Sequence, residues 1–573
     1  RHDPSQEHEM NTHPSPAPAA RRAVACRRAG TAAAVAVLVL AAGTACSSDT
    51  SDTSGPSADP AAGPSLTNAL PKAAAGDIDH LDWGLPRGEP GSLDPLNAYD
   101  YSVDLVLSNL CDPLFRTNPD FTTSPNLATS TSRPDKLTVV YTIREGVKFW
   151  NGHPLTAEDV AYSLGRNLDP QAPSHFLFDK VKSIKATGTH QVTVRFKTYD
   201  ELFTKELASP IGGIVEKAYA VKAGKNLGTA KGGLMCSGPF RLKQWNAGSG
   251  IELERNDAYW NPAYKAHART ATLKFLTDST ALAQALVSGE VDGAYEVPPA
   301  VIPRLKSSAD GTLHFGPSIQ YVNLALARSG GPLADSVIRK ALFTSIDRAA
   351  LAKVVFNGAG EANYTNLPTS GWDPEARDIY QDAYGAYEKS NAYDVDAAKK
   401  LVDSVGAPKQ PVKLVTLAGD ATQSQLAQLI QQQAKAIGLT VRIQALQPLQ
   451  YGSTFVDPSA RKDIDLLLSV GYNQVADPLE QLGLSFRPGA TYNYTGYDDP
   501  SVNSALAKAQ QSDDATERAK LIVAAQKVYE AENLTTSLVG LNEVSYLSNK
   551  LSGATTSFAY MFQPSLALIG PVK

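Results

Sequence analysis

Apolar and polar positions change period several times along this chain, and the periods separate strands from helices. Leu137, Val139, Tyr141 and Ile143 alternate with Thr138, Val140, Thr142 and Arg144. That alternation predicts a half-buried strand. Val192, Val194 and Phe196 repeat it against Thr193, Arg195 and Lys197. Between the two, Thr156 can accept from an early backbone N–H and Asp159 suits a positive helix end, so a helix is predicted over 157–168.

Further along the pattern becomes strand, helix, strand. Val412–Leu417 is a strand, and Leu426, Leu429, Ile430 and Ile437 mark one face of a helix that Gly438 can cap. Leu439, Val441, Ile443 and Ala445 alternate as the next strand. Residues 463–470 are nearly continuously apolar at their C-terminal end, as in a strand covered on both faces. A second long helix is predicted over 515–532. Strands and helices mixed in this way predict an α/β protein, and 573 residues are enough for about three domains.

The first 77 residues follow a different pattern. Arg21, Arg22, Arg27 and Arg28 precede a short apolar run over 31–42, and Gly43, Thr44 and Ala45 lead into Cys46. This is the order of a secretory signal peptide over 1–45. The apolar run falls short of the ~20 residues a membrane-spanning helix needs. A Cys directly after small residues resembles a lipobox, which would make Cys46 a lipidated N-terminus. The position three before it is Gly43 where the usual pattern has Leu, so simple cleavage after Ala45 is the alternative. Residues 46–77 are rich in Ser, Asp, Gly, Pro and Ala, and are expected to be a disordered tether.

Composition narrows the chemistry. A net charge of −5 and a pI near 6.0 give no basis for nucleic-acid binding. Cys26 lies in the signal, Cys46 at its end, and Cys111 and Cys236 remain. An even pair in an exported chain is a candidate disulfide, with two buried thiols as the alternative. No C-x-x-C, H-E-x-x-H, G-x-S-x-G or Walker pattern occurs, so no catalytic residue, metal site or cofactor is expected.

Several segments, in order, resemble the bacterial extracellular solute-binding proteins of family 5, the oligopeptide, dipeptide and nickel receptors of ABC importers. The longest is 141–164, YTIREGVKFWNGHPLTAEDVAYSL. Ser92-Leu93-Asp94-Pro95, Cys111-Asp112-Pro113-Leu114-Phe115-Arg116 and Ser237-Gly238-Pro239-Phe240 match further elements. So do Glu254-Arg255-Asn256 with Tyr259-Trp260, Ser288-Gly289-Glu290-Val291-Asp292, and Ile338-Arg339-Lys340-Ala341-Leu342 with Ile346-Asp347-Arg348. The resemblance covers roughly 80–550. It implies a two-lobed periplasmic-binding-protein-like flytrap with an extra inserted domain. Domain I would hold 78–116, 208–320 and 545–573, domain II 117–207 and domain III 321–544. It further implies a monomer on the extracytoplasmic face of the membrane, held by its lipid. The receptor would close on a peptide or other small polar solute and deliver it to ABC permease subunits. A sugar or other small metabolite as ligand, and an exported hydrolase, are the alternatives.

Peptide receptors of this family carry a G-W-x-x-D-x-x-D-P loop whose first Asp pairs with the ligand's ammonium. Here the loop reads Gly471-Tyr472-Asn473-Gln474-Val475-Ala476-Asp477-Pro478, one residue shorter, with no counterpart of that Asp. Asp477 is either its replacement or a structural turn residue. The resemblance places Tyr99, Tyr101, Tyr321, Asn323, Tyr472, Asn473, Gln474, Asp477, Asn542 and Glu543 near the cleft as candidate ligand contacts. Tyr and Asn combine apolar faces with hydrogen-bonding groups, which suits polar solutes.

Overall fold

The computed structural model describes residues 64–573, and Cys46 and the signal segment lie outside them. Three sheets organise the body. A seven-stranded mixed sheet has Ile78–Leu85 near its centre, parallel to Ala268–Phe275 on one side and to Gly293–Ala294 on the other. Glu543–Ser548 pairs antiparallel with both Gly293–Ala294 and Gly311–Gly316, and Gly250–Arg255 and Phe240–Asn246 complete the opposite edge. A six-stranded sheet is built on Gln320–Leu326, flanked by Leu466–Tyr472 and Thr535–Leu541. Val412–Leu417 and Val441–Leu446 extend it in parallel. The chain crosses between these two sheets after Gly316 and returns at Asn542.

The third sheet is four-stranded and antiparallel, in the order Ala128–Asp135, Thr138–Ile143, Gln191–Phe196, Val181–Gly188. One hydrophobic core runs through it and the seven-stranded sheet, with Phe115 edge-on to Tyr141 at 5.5 Å. The alternation read from sequence faces that core: Val139, Tyr141 and Ile143 are buried, as are Val192, Val194 and Phe196. The helix between them runs Ala157–Gly165 and tightens to a 3₁₀ turn over Arg166–Leu168. Its capping box is complete: Thr156 N–H donates to Asp159 Oδ2 at 2.9 Å, and Asp159 N–H to Thr156 Oγ1 at 3.3 Å.

Residues from Leu66 onward depart from the expected tether. Thr67 N–H donates to Phe315 O, Leu70 N–H to Ala554 O and Ala75 N–H to Pro571 O, at 2.8–2.9 Å. Composition misled here because this stretch is held largely by its backbone groups, with Leu70 packed against the core. Among the described residues no helix is long and apolar enough to cross a membrane.

Separate sequence motifs meet at one buried carboxylate. Asp112, 2% exposed, accepts from Ser237 Oγ and Tyr259 Oη at 2.8 Å and from Trp260 Nε1 at 3.0 Å. Arg116 stands 3.5 Å away and stacks on the Tyr264 ring. Cys111 and Cys236 are joined by a disulfide beside this cluster, with Cα atoms 4.9 Å apart. Gly238 follows, and a Cβ there would lie 2.3 Å from the Leu110 carbonyl oxygen, so only glycine fits. The cluster thereby fixes the C-terminal end of the helix Tyr101–Leu110, whose other end forms the site.

Candidate functional site

A cavity of 360 Å³ lies between the segment 87–101 and the six-stranded sheet. It sits beyond the carboxyl ends of several strands, where open α/β sheets place their ligands. Ile78–Leu85 runs out into Arg87, Val412–Leu417 into Asp420, and Leu466–Tyr472 ends with Tyr472 on the wall. Two helices start at the cavity. Asp100 caps Tyr101–Leu110 by accepting from Ser102 N–H at 3.0 Å, and Asp420 caps Ala421–Ala436 by accepting from Gln423 N–H at 2.9 Å. Each carboxylate thus faces a positive helix end.

Aromatic rings form much of the wall. Tyr99 stacks on Tyr472 at 5.9 Å, and Tyr101 meets Tyr472 edge-on at 4.7 Å. Tyr321 enters from the six-stranded sheet and donates to Gln481 Oε1 at 2.5 Å. Tyr451, Tyr492 and Tyr494 complete the ring, and Arg461 packs over Tyr494 at 4.4 Å. Asn323 also lines the cavity and accepts from Thr535 Oγ1 at 2.8 Å. The hydroxyl of Tyr101 has no hydrogen-bond partner within the protein.

Beneath Tyr472 lies Asp104, fully buried on the helix Tyr101–Leu110. It accepts from Tyr472 Oη at 3.2 Å and Gln474 Nε2 at 3.4 Å, joining that helix to the 471–478 loop. Burial, with no cation paired to it, pushes its carboxyl well above the ordinary range, although the bonds from Gln474 and Tyr472 act the other way. Glu480 holds the loop from below, accepting from Gln474 N–H at 3.1 Å and Val475 N–H at 2.9 Å, and burial raises it to about 7.

The structure therefore divides the residues singled out from sequence. Tyr99, Tyr101, Tyr321, Asn323 and Tyr472 share the cavity. Asn473 and Gln474 do not line it: both are 1% exposed, and Gln474 borders a separate pocket of 260 Å³ with Lys205 and Trp372. Asp477 is also elsewhere. It is completely buried, caps Pro478–Phe486 through Leu479 N–H, and pairs with Lys205 at 3.0 Å and Arg518 at 3.5 Å. Burial alone would raise its carboxyl, but those two cations hold it below the ordinary value. Its charge is already matched by Lys205 and Arg518. Asn542 and Glu543 stand at the return crossing and do not line the cavity. Asn542 borders a small pocket beside Pro317, and Glu543 accepts from Glu296 N–H at 2.8 Å.

Arg87, Asp100, Asp420, Tyr451, Tyr492 and Tyr494 line the cavity and were not identified from sequence. Arg87 had a readable signal, because it follows a strand at the end where ligands sit. Asp420 had one too, as an N-cap Asp before an amphipathic helix, but a cap signal does not say what it faces.

Comparison with known proteins agrees with this architecture. The model of bacterial extracellular solute-binding proteins, family 5, matches residues 122–493. The glutathione-binding protein GsiB of Escherichia coli K12 is 26% identical over 472 residues, 81% of this chain and 89% of that protein. The oligopeptide-binding protein OppA of Bacillus subtilis is 26% identical over 476 residues, 77% of this chain and 84% of that protein. Among solved structures, the periplasmic binding protein DppA of Helicobacter pylori, in complex with the peptide STSA, superposes with a TM-score of 0.74 at 21% identity. That match covers 87% of this chain and 99% of DppA. With a cavity walled by the segment 87–101 and the six-stranded sheet, and a family match spanning most of the chain, this protein belongs to the bacterial extracellular solute-binding proteins of family 5.

Proposed function

We propose that this protein is a lipid-anchored receptor on the extracytoplasmic face of the membrane, which captures a short peptide or peptide-like solute and presents it to the permease of an ABC importer. The observation that carries this reading is the cavity between the segment 87–101 and the six-stranded sheet. At 360 Å³ it lies toward the small end of the roughly 300–1,000 Å³ usual for small-molecule sites, which favours a compact solute. Tyrosine rings supply apolar contact while Asn323, Gln481, Asp100 and Asp420 supply polar groups, a combination that suits peptide backbone and termini. The relatives named for glutathione and oligopeptides, and the neighbour solved with a peptide, support the same ligand class.

Receptor action needs no bond chemistry. The two lobes would shift an open and closed equilibrium toward closed when solute bridges them. Tyr472 and Gln474 on one side and Asp104 on the other supply interlobe contacts for the closed form. The test is mass spectrometry of solute that co-purifies with the native protein, followed by calorimetry with di- and tripeptides. A peptide recovered with unchanged mass supports the receptor. A product of altered mass, released on incubation, would make it an exported hydrolase instead.

A further inference from the structure

Arg87 is held in the cavity by groups that keep it charged and leave much of it free. Its side chain is 42% exposed, on the cavity wall. The guanidinium lies 4.4 Å from the centre of the Tyr101 ring, which restricts it to one plane. Nε and Nη2 both donate, at 3.4 Å, to a single oxygen, Oε1 of Glu296. A guanidinium has five N–H donors in a fixed fork. Three of Arg87's are therefore uncommitted within the protein.

The support beneath Arg87 is specific. Glu296 is 7% exposed at its side chain and sits at φ +53°, in the left-handed region where non-glycine residues are uncommon. Its backbone N–H donates to buried Glu543 at 2.8 Å. Burial works against the Arg87 charge, but Glu296, Tyr101 and Asp420 more than offset it, so the guanidinium is charged at every physiological pH. A partly paired, pre-oriented arginine on a cavity wall matches a planar carboxylate. Asp100 and Asp420 line the same cavity, and two nearby negative charges disfavour a phosphate or other polyanion.

We propose that Arg87 determines specificity in this receptor, by binding a single carboxylate of the solute through its free N–H donors. This rests on the cavity being the solute site, and it goes further by fixing one functional group of the ligand. It also accounts for Glu296 and Glu543: they act through Arg87 as positioning residues and do not touch the ligand.

The test is native mass spectrometry of the mature protein against matched pairs of probes at equal concentration. One pair is a set of dipeptides with free carboxyl termini and the same set as C-terminal amides. The other is hexuronic acids and the corresponding neutral hexoses. In whichever class the wild type binds, it should retain the acid at least tenfold over its neutral counterpart, about 1.4 kcal/mol. In Arg87→Met the ratio should fall to within about threefold, with Arg87→Lys between, since lysine keeps the charge but loses the fork. A role confined to folding would weaken both members of a pair and leave the ratio intact. Thermal melting checks that the variants fold. Retention of the sugar pair alone would remove the peptide reading and still test Arg87 on that pair. Equal retention of acid and neutral probe by the wild type, a preference that survives in Arg87→Met, or no retention of any probe by folded wild type overturns the proposal.

Discussion

Replacing Asp112 with alanine should be among the most damaging single changes in the seven-stranded lobe. The carboxylate accepts three short hydrogen bonds, from Ser237, Tyr259 and Trp260, with Asn126 and Arg116 farther off at 3.4 and 3.5 Å. Arg116 is 3% exposed, so loss of Asp112 leaves a buried cation without its acid. Breaking such a pair costs about 3–5 kcal/mol. The value should fall toward the lower end, because Arg116 keeps the Tyr264 ring at 3.8 Å and the Tyr259 hydroxyl at 3.3 Å. Asp112→Asn keeps the volume and one acceptor oxygen, and should cost about half as much. Urea titration followed by tryptophan fluorescence is suitable, since Trp260 bonds Asp112 directly and Trp150 donates to the Gly238 carbonyl. A loss below about 1 kcal/mol for Asp112→Ala, or equal losses for both variants, would refute the view that this carboxylate ties the lobe together.

Other outcomes follow from features already described. Thiol titration of unfolded, unreduced mature protein should find neither Cys111 nor Cys236 free, and replacing both with serine should lower stability by up to about 5 kcal/mol, given the 125-residue separation. Asp477→Asn should lower stability by about 3 kcal/mol at pH 7 and leave the acid-over-amide preference in place, because Asp477 pairs with Lys205 and Arg518 outside the cavity. Since the folded state depresses its pKa, that contribution is complete above the unfolded value near 3.9 and is lost as pH falls through the lower folded value; pH melts should show wild type and Asp477→Asn converging in acid. Cys46→Ala should move the protein from the membrane fraction to the medium if Cys46 carries lipid, and unchanged retention would remove the anchor from the proposal.

What could be read from sequence was local and periodic. The alternations at 137–144 and 192–197 and the apolar run over 463–470 appear as the strands Thr138–Ile143, Gln191–Phe196 and Leu466–Tyr472, because period two against a core is imposed by neighbours in the chain. Thr156 and Asp159 announced a helix start, since a cap bonds within its own turn. The strand Leu439 to Ala445 was legible as a strand but not as an edge: Arg442, Gln444 and Ala445 are exposed on Val441–Leu446. The cavity was harder because each wall residue depends on distant packing. Tyr99 and Tyr101 came from their place after a motif, whereas Tyr451 comes from the helix Pro448–Val456, which lacks a clear apolar face in sequence. Asn542 was expected at the cleft because the chain changes sheets there, but it borders a separate small pocket instead.

The threading of the seven-stranded sheet sets an order for folding. Gly311–Gly316 reaches the rest of the sheet only through Glu543–Ser548, the last strand of the sheet to be synthesised. The six-stranded sheet has the same dependence, since its edge strand Gly360–Ala362 reaches the rest only through Thr535–Leu541. Contacts this far apart in sequence form slowly, because the intervening chain must be closed before pairing is rewarded. A chain still emerging from the ribosome or a membrane channel therefore carries two incomplete sheets until the segment 535–548 is free. Their unpaired edges are open to wrong partners throughout that interval. Truncation just before Thr535 should therefore yield aggregation rather than a smaller soluble domain.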